Sequence, residues 1–251
     1  MRRVLVVGVG AGDPEYVTVA AIGALNDADV IFVPSRPTAD LTAAREDLIR
    51  RFAHRAPRRV VVREPARDRA APDYERAVGD WRAQRAESWE AAIGVELGPD
   101  GCGAFLVWGD PSLYDSTIAV LEEVLSRGRV ALEYEVIPGV SSIHALTARH
   151  RIALNHVAGA VLITTGRRLA EHGMPEGVDD VVVMLDGDCA FRRLVGQPLD
   201  IYWGAYLGTH DELLVSGPLA EVADEIERVR SDARERKGWI MDTYLLRRPY
   251  R

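Results

Sequence analysis

The polar residues best placed to do chemistry follow short apolar runs of the chain. Trp108, Gly109 and Asp110 come directly after residues 104–106, a run typical of a buried strand, and a helix-like run begins at Ser116. A strand, a Gly-Asp-Pro turn and a helix place these groups at the carboxyl edge of a sheet, where open α/β sheets bind their ligands. The segment therefore predicts a loop that positions a ligand.

Two further strand ends carry turns of the same kind. Residues 8–14 form a glycine-rich loop, but a dinucleotide-binding loop would need glycine where this chain has Asp13. A nicotinamide site is therefore disfavoured, and a tight turn without a ligand remains an alternative. Residues 138–142 end another strand in Pro-Gly-Val-Ser-Ser, whose serines suit either helix capping or a ligand contact.

The sequence gives no sign of a hydrolytic or metal centre. No serine at these strand ends lies in a G-x-S-x-G elbow, and the histidines show neither H-x-x-x-H nor H-E-x-x-H spacing. The turn from Asp186 to Asp188 lacks the downstream glutamate of a calcium loop, and Cys102 and Cys189 form no C-x-x-C pair. Glycine-rich strand ends with few polar groups instead suit a protein that holds two reactants in position.

The composition disfavours nucleic acid and membranes as partners. The 251 residues are 47% hydrophobic and carry a formal net charge of -7, which gives no basic field for nucleic acid. No apolar run reaches about 18 residues, the length that a membrane helix needs. Residues 1–8 resemble the start of a signal peptide but meet glycines too early, so we interpret them as a strand. We therefore expect a cytoplasmic protein.

Strand-like and helix-like runs alternate along the chain and predict an α/β fold. The first half contains strands near residues 3–9, 29–33, 59–62, 104–106 and 133–137. Its long amphipathic helix, residues 74–93, carries Val78, Trp81, Arg85 and Trp89 at helical spacing, and we interpret the two tryptophans as packing. After a loop at 154–160, strands near 161–165, 180–185, 201–207 and 239–246 follow. Residues 213–217 are a candidate for a further strand that pairs with 201–207. We place the domain boundary between residues 157 and 158, which predicts domains 1–157 and 158–251.

Five loops of the sequence resemble the tetrapyrrole (corrin/porphyrin) methylase family. They are residues 8–14, 109–114, 138–142, 165–167 and 208–209, joined by Met184, and the resemblance covers essentially the whole chain. It implies a two-domain α/β architecture in which each domain is a mostly parallel or mixed sheet flanked by helices. It further implies that S-adenosyl-L-methionine binds in a cleft between the domains, and that the protein is a homodimer. The expectation that no metal is bound comes from the histidine spacing.

The resemblance also carries site residues over to this sequence. The implied contacts to S-adenosyl-L-methionine come from both halves of the chain: Ala11, Trp108, Gly109, Asp110, Leu113, Ser141, Ser142, Met184, Ala205 and Gly208. Asp110 is expected to accept hydrogen bonds from the cofactor's ribose or amino group, and Met184 to pack on the adenine. The chain departs from the commoner family pattern at Trp108 and Ala11, which leaves backbone contacts there intact.

Four longer segments, residues 105–116, 181–187, 202–208 and 237–244, resemble the branch of the family that acts on precorrin-5. The implied reaction is methyl transfer to C-1 of precorrin-5 with loss of the acetyl group as acetate, which gives precorrin-6A and S-adenosyl-L-homocysteine. A base would help to form the carbon nucleophile, and a further group would orient the water that removes the acetyl group.

The candidates for these proton-transfer roles lie in or beside the matching loops and are Asp13, Tyr114 and Asp242. Three arginines, Arg36, Arg167 and Arg168, are candidate clamps for the carboxylates of the macrocycle, with solvated loop arginines as the alternative. Two other functions stay open. One is a precorrin methyltransferase acting at another ring position, and the other is a nucleotide-binding sensor without turnover.

Overall fold

A computed structural model describes residues 1–35, 39–65 and 74–249 of the chain. Contacts between Cα atoms divide the chain into two compact units, Met1–Ser141 and Ser142–Arg251. The structural division precedes the helix Ser142–His150, whereas the sequence placed the boundary after it. This helix belongs with the second unit because it packs on two strands of the second sheet, Asp200–Ala205 and Asp242–Arg247.

The first unit is built on a parallel sheet of five strands in the order β3-β2-β4-β1-β5. The strands are β1 (Arg2–Gly8), β2 (Val30–Pro34), β3 (Arg58–Val62), β4 (Cys102–Val107) and β5 (Leu132–Ile137). The connecting helices are α1 (Val19–Asp27), α2 (Ala39–Phe52), α3 (Tyr74–Glu96) and α4 (Thr117–Arg127). Because all strands run the same way, the loops that follow them meet at one edge.

Both faces of this sheet are covered, as the apolar character of its strands requires. Val6 and Phe105 point to one face, where they pack with Trp89 of α3, while Leu5 and Leu106 point to the other, towards α1 and α2. The Trp89 ring stacks on Phe105 with ring centres 4.0 Å apart and is fully buried. For Trp89 the packing interpretation is confirmed.

The second unit has a mixed sheet of five strands in the order β6-β7-β10-β8-β9. The strands are β6 (Val161–Thr165), β7 (Asp180–Met184), β8 (Asp200–Ala205), β9 (Leu213–Pro218) and β10 (Asp242–Arg247). The helices are α5 (Ser142–His150), α6 (Gly166–His172) and α7 (Leu219–Lys237). β10 is inserted antiparallel between β7 and β8, and β9 pairs with β8. The predicted two-domain α/β architecture is confirmed.

Over the part of the chain that the structure describes, no helix combines the length and the apolar character needed to cross a bilayer.

Candidate functional site

The loops after β1 and β4 are joined by their backbones at the carboxyl edge of the first sheet. Gly10 and Gly109 exchange two hydrogen bonds, from Gly10 N to Gly109 O at 3.2 Å and from Gly109 N to Gly10 O at 2.9 Å. Both glycines have positive φ angles, of 83° and 70°, which residues other than glycine adopt only at a cost in free energy. The exchange fixes one loop against the other.

The loop after β5 approaches the same two loops too closely for any side chain. A Cβ atom placed on Gly139 would lie 2.2 Å from the carbonyl oxygen of Gly109 and 2.8 Å from the carbonyl carbon of Gly8. A Cβ on Gly8 would lie 2.6 Å from the amide nitrogen of Gly139. Three strand ends therefore meet backbone to backbone, and the glycines at positions 8 and 139 are required by that approach.

The carboxylate of Asp110 ties two of these loops together. Its Oδ1 accepts a hydrogen bond from the Ser112 amide at 2.8 Å and another from the Ser112 hydroxyl. Its Oδ2 accepts from the Gly139 amide at 2.9 Å. Each carboxylate oxygen is thus bound to a backbone N–H, and the side chain holds the loop after β4 against the loop after β5.

The other predicted residues of the first unit lie on the same loops with different exposure. Ala11 and Ser141 are buried, and Trp108 and Leu113 are half-buried. Ser142, the first residue of the second unit, is half-buried at the start of α5. Arg36 lies outside the residues that the structure describes.

Asp13 and Tyr114 are the two proton-transfer candidates of the first unit. The Asp13 carboxylate accepts a hydrogen bond from the Glu15 amide at 2.8 Å and so caps the 3₁₀ turn Pro14–Tyr16. Tyr114 has a positive φ of 51°, unusual for a residue other than glycine, and 47% of it is exposed. The loop after β4 thus presents the Tyr114 side chain towards solvent.

In the second unit, strand register brings the predicted residues to one edge of the sheet. Met184 pairs with Thr165 of β6 on one side and with Thr243 of β10 on the other. Asp242 pairs with Ala205 of β8. The sequence-distant residues Met184, Ala205 and Asp242 therefore lie in neighbouring strands, with Arg167 and Arg168 just beyond β6 on α6.

The loop after β8 is held by two residues that the sequence did not single out. The Gly208 amide donates to Glu212 Oε2 at 2.8 Å. Arg149 of α5 donates from its Nε to the other oxygen of Glu212 at 2.5 Å. Gly208 itself has a φ of 74°. The only signal in the sequence is a glutamate four residues after a loop glycine, which is too common to be informative.

Asp242 lies in a buried ion pair rather than in open solvent. Its side chain is 5% exposed, and its Oδ2 accepts hydrogen bonds from Arg230 Nε at 2.9 Å and from Trp203 Nε1 at 3.0 Å. Burial raises the pKa of the Asp242 carboxyl, while the Arg230 charge and these hydrogen bonds act in the opposite direction. The contacts give Asp242 a structural role, linking β10 to α7 and β8, whatever its part in catalysis.

Asp186 completes the same network and explains the turn that resembled a calcium loop. Arg230 Nη2 donates to the Asp186 carbonyl at 2.6 Å, and the Asp186 Oδ2 accepts from the Tyr244 hydroxyl at 2.6 Å. A Cβ on Gly166 would lie 2.4 Å from Asp186 Cγ, so α6 starts directly against this carboxylate. Burial, followed by the neighbouring Asp186 charge, raises the pKa of Tyr244 well above its usual value.

No metal centre is formed by the residues with described positions, since no three His, Cys, Asp or Glu side chains among them are arranged to hold an ion.

Arg167 and Arg168 are both exposed, and Arg167 Nε lies 4.0 Å from Glu171 one helical turn along α6. Two exposed guanidinium groups beside the edge that holds Met184 suit the pairing of carboxylates on a ligand.

Sequence comparison finds a family and a near full-length relative. The family model described as Tetrapyrrole (Corrin/Porphyrin) Methylases matches residues 3–223. A protein of Sinorhizobium sp named precorrin-6A synthase [deacetylating] is 51% identical over 251 residues, which are 99% of this chain and 96% of the relative.

Comparison with solved structures gives the same picture of the fold. A protein of Corynebacterium diphtheriae, described as a putative cobalamin synthesis related protein (CobF), has a TM-score of 0.85 and 36% identity, and the match covers 98% of each chain. The uroporphyrin-III C-methyl transferase of Thermus thermophilus, solved in complex with S-adenyl homocysteine, has a TM-score of 0.59 and 19% identity, with coverage of 97% of this chain and 91% of that chain. The second likeness concerns the fold alone.

Proposed function

The chain belongs to the tetrapyrrole (corrin/porphyrin) methylase family, and we propose that it methylates precorrin-5 at C-1 with S-adenosyl-L-methionine. The acetyl group leaves as acetate, and the product is precorrin-6A. The observation that carries the proposal is the 51% identity to a deacetylating precorrin-6A synthase across 99% of this chain. At that identity and coverage, the chain is a methyltransferase of this family.

The glycine contacts of the first unit suit a cofactor that is recognised largely by backbone groups. Gly8 and Gly139 leave no room for side chains beside the Gly109 carbonyl, so main-chain atoms form the surface where the three strand ends meet. We keep as proposed cofactor contacts the residues predicted from the sequence: Ala11, Trp108, Gly109, Asp110, Leu113, Ser141, Ser142, Met184, Ala205 and Gly208. When bound, S-adenosyl-L-methionine supplies an electrophilic methyl group.

The chain's own contribution is chiefly to hold the reactants in a productive geometry. Tyr114 and Asp13, on the loops at the carboxyl edge of the first sheet, are proposed to remove the proton from the macrocycle or to orient the water that attacks the acetyl carbonyl. Asp242 remains a proposed participant, but its carboxylate already accepts hydrogen bonds from Arg230 and Trp203. Arg36, Arg167 and Arg168 are proposed to bind macrocycle carboxylates.

We expect Asp110→Asn to weaken the binding of S-adenosyl-L-methionine by about tenfold or more. An amide offers one acceptor oxygen, whereas the carboxylate accepts from backbone N–H groups at both oxygens, so either Ser112 N or Gly139 N loses its partner. Isothermal titration calorimetry measures the effect. Asp80→Asn, at a side chain that is 70% exposed, is the control and should bind as the wild type does.

We expect Arg168→Ala to raise the KM for precorrin-5 by about fivefold to tenfold, with the affinity for S-adenosyl-L-methionine unchanged. The reason is the loss of one charge-assisted hydrogen bond to a macrocycle carboxylate. Arg228→Ala removes an exposed arginine that pairs with Asp232 on α7 and is the charge-matched control. Equal KM values for the two variants would show that Arg168 is a solvated arginine at the start of α6 without a role in binding the macrocycle.

The proposed reaction is tested with precorrin-5 and methyl-labelled S-adenosyl-L-methionine, by following label in the macrocycle and acetate in solution. Label in the product together with released acetate supports the proposal in full. Label without acetate would indicate another precorrin methyltransferase. No label, with binding of a different nucleotide instead, would indicate the sensor.

Homodimer formation and a cytoplasmic location stay predictions. Light scattering on the purified protein tests the first, since a dimer has twice the 27.6 kDa mass of the chain.

A further inference from the structure

A charged side chain lies in the middle of α3 without access to solvent. Arg85 is completely buried, with its guanidinium carbon 4.5 Å from the centre of the Trp81 ring and 5.0 Å from that of Trp89. Its Nε donates a hydrogen bond at 2.7 Å to Oε1 of Glu64, a residue that lies just after β3. The two rings and the carboxylate hold the planar guanidinium in one orientation.

The same guanidinium reaches the loop after β4. Arg85 Nη1 donates to the hydroxyl of Ser116, the residue before α4. A serine in this position normally accepts a hydrogen bond from the first turn of the helix, but Ser116 makes no such bond. The neighbouring Asp115 accepts from the Thr117 amide instead, at 2.7 Å. The Ser116 hydroxyl is therefore used to bind Arg85 and not to cap α4.

Arg85 thus connects segments that follow three neighbouring strands of the sheet. The Glu64 amide donates at 3.1 Å to the hydroxyl of Ser35, which follows β2, while Glu64 itself follows β3. Ser116 closes the loop after β4, which contains Gly109 and Asp110 near its start and Tyr114 near its end. The beginning of that loop is held separately, by Gly10 and by the bond from Gly139 to Asp110.

Stability alone gives a weak reason for a buried ion pair at this place. Removing two charges from water costs free energy, and well-packed apolar side chains of similar volume often give equal or greater stability. What the Arg85 guanidinium provides, and an apolar side chain does not, is a directed hydrogen bond to Ser116 at a fixed distance from Glu64.

We propose that Arg85 is a positioning residue for the macrocycle substrate, because it fixes the end of the β4 loop that carries Tyr114. The inference rests on the proposed function. It separates the two ends of one loop: Asp110 and Gly109 hold the end next to β4, and Arg85, through Ser116, holds the end next to α4 that carries Tyr114.

The first test is Ser116→Ala, which removes the acceptor of Arg85 and takes no capping bond from α4. We expect kcat/KM for precorrin-5 to fall by about tenfold, and the Kd for S-adenosyl-L-methionine to stay within about twofold of the wild type. Hydrogen exchange should become faster in residues 110–117. Ser126→Ala is the matched control, because it removes an exposed hydroxyl of α4 that donates to the Glu123 carbonyl.

Three results would overturn the proposal. The first is that Ser116→Ala is as active as Ser126→Ala. The second is that Ser116→Ala loses as much affinity for the cofactor as it loses in kcat/KM. The third is that hydrogen exchange in residues 110–117 of Ser116→Ala is the same as in the wild type. If the wild type does not methylate precorrin-5, the proposed function fails. In that case faster exchange in Ser116→Ala, with unchanged cofactor binding, would still support the separate anchoring of the two loop ends.

The second test replaces the buried pair by apolar residues in the double variant Arg85→Met with Glu64→Leu. We expect its thermal midpoint to stay within about 5 °C of the wild type, while kcat/KM for precorrin-5 falls by about tenfold. Full activity in this variant would show that the pair only fills space and would overturn the proposal. Arg85→Lys keeps the positive charge but lacks the planar guanidinium. A kcat/KM equal to that of the wild type in this variant would overturn the requirement for a directed guanidinium bond.

Discussion

Gly139→Ala should reduce kcat/KM by at least about 100-fold. The added Cβ would lie 2.2 Å from the Gly109 carbonyl oxygen and 2.8 Å from the carbonyl carbon of Gly8, and both neighbours are backbone atoms that cannot rotate away. Relief requires the loops after β1, β4 and β5 to separate, which also lengthens the bond from the Gly139 amide to Asp110. Steady-state kinetics with precorrin-5 and calorimetric titration with S-adenosyl-L-methionine test this prediction.

The matched control for this substitution is Gly98→Ala. Gly98 lies in the same unit between α3 and β4, has no positive φ, and would meet no atom within 4 Å of an added Cβ. Its activity and cofactor binding should equal those of the wild type. If Gly139→Ala also bound the cofactor normally, the three-loop contact would have no part in the cofactor site.

Arg230→Met should lower the free energy of unfolding of the second unit by about 3–5 kcal/mol. The substitution leaves the Asp242 carboxylate buried beside Trp203 without its compensating charge, and it removes the donor to the Asp186 carbonyl. Urea titration, read by hydrogen exchange in peptides from β8 and β10, measures the change. Arg228→Met on the same helix is the control: its ion pair with Asp232 is exposed, and we expect a change of less than about 0.5 kcal/mol.

The pH dependence of the Arg230→Met defect has a definite sign. Burial raises the pKa of Asp242 in the folded state above its unfolded value, and loss of the Arg230 charge raises it further. A carboxyl with a raised folded pKa favours folding below the unfolded pKa and loses that contribution as the pH rises through the folded pKa. The stability gap to the wild type should therefore narrow as the pH is lowered towards about 4. A gap that widened in acid would contradict this account of Asp242.

The alternation of the fold was predictable because each strand of the first unit is a short apolar run next to a turn. The position of β10 was not, since its pairing with β7 and β8 depends on residues far apart in the chain. The division between Ser141 and Ser142 also depends on residues far apart in the chain: α5 follows a strand of the first unit in sequence but packs on strands of the second.

The candidate site shows the same limit on what local sequence can reveal. The Gly-Asp-Pro turn indicated a ligand loop, but the partner of Asp110 is the Gly139 amide, 29 residues away. Asp242 was predicted for its place beside a matching loop, whereas its ion-pair partner Arg230 is on the preceding helix. Arg85 lies at helical spacing between Trp81 and Trp89, but nothing local shows that its guanidinium will be enclosed by Glu64 and Ser116.

The insertion of β10 between β7 and β8 also orders events during protein synthesis. The first unit contains all its strands once Ile137 has left the ribosome, so it can fold while translation continues. The second sheet has a gap at its centre until residues 242–247 have been made. Until then β7 and β8 each have an unpaired edge where β10 will later lie. Unpaired strand edges favour mispairing with other chains. A ribosome stalled before residue 242 should therefore expose a folded first unit followed by an aggregation-prone segment.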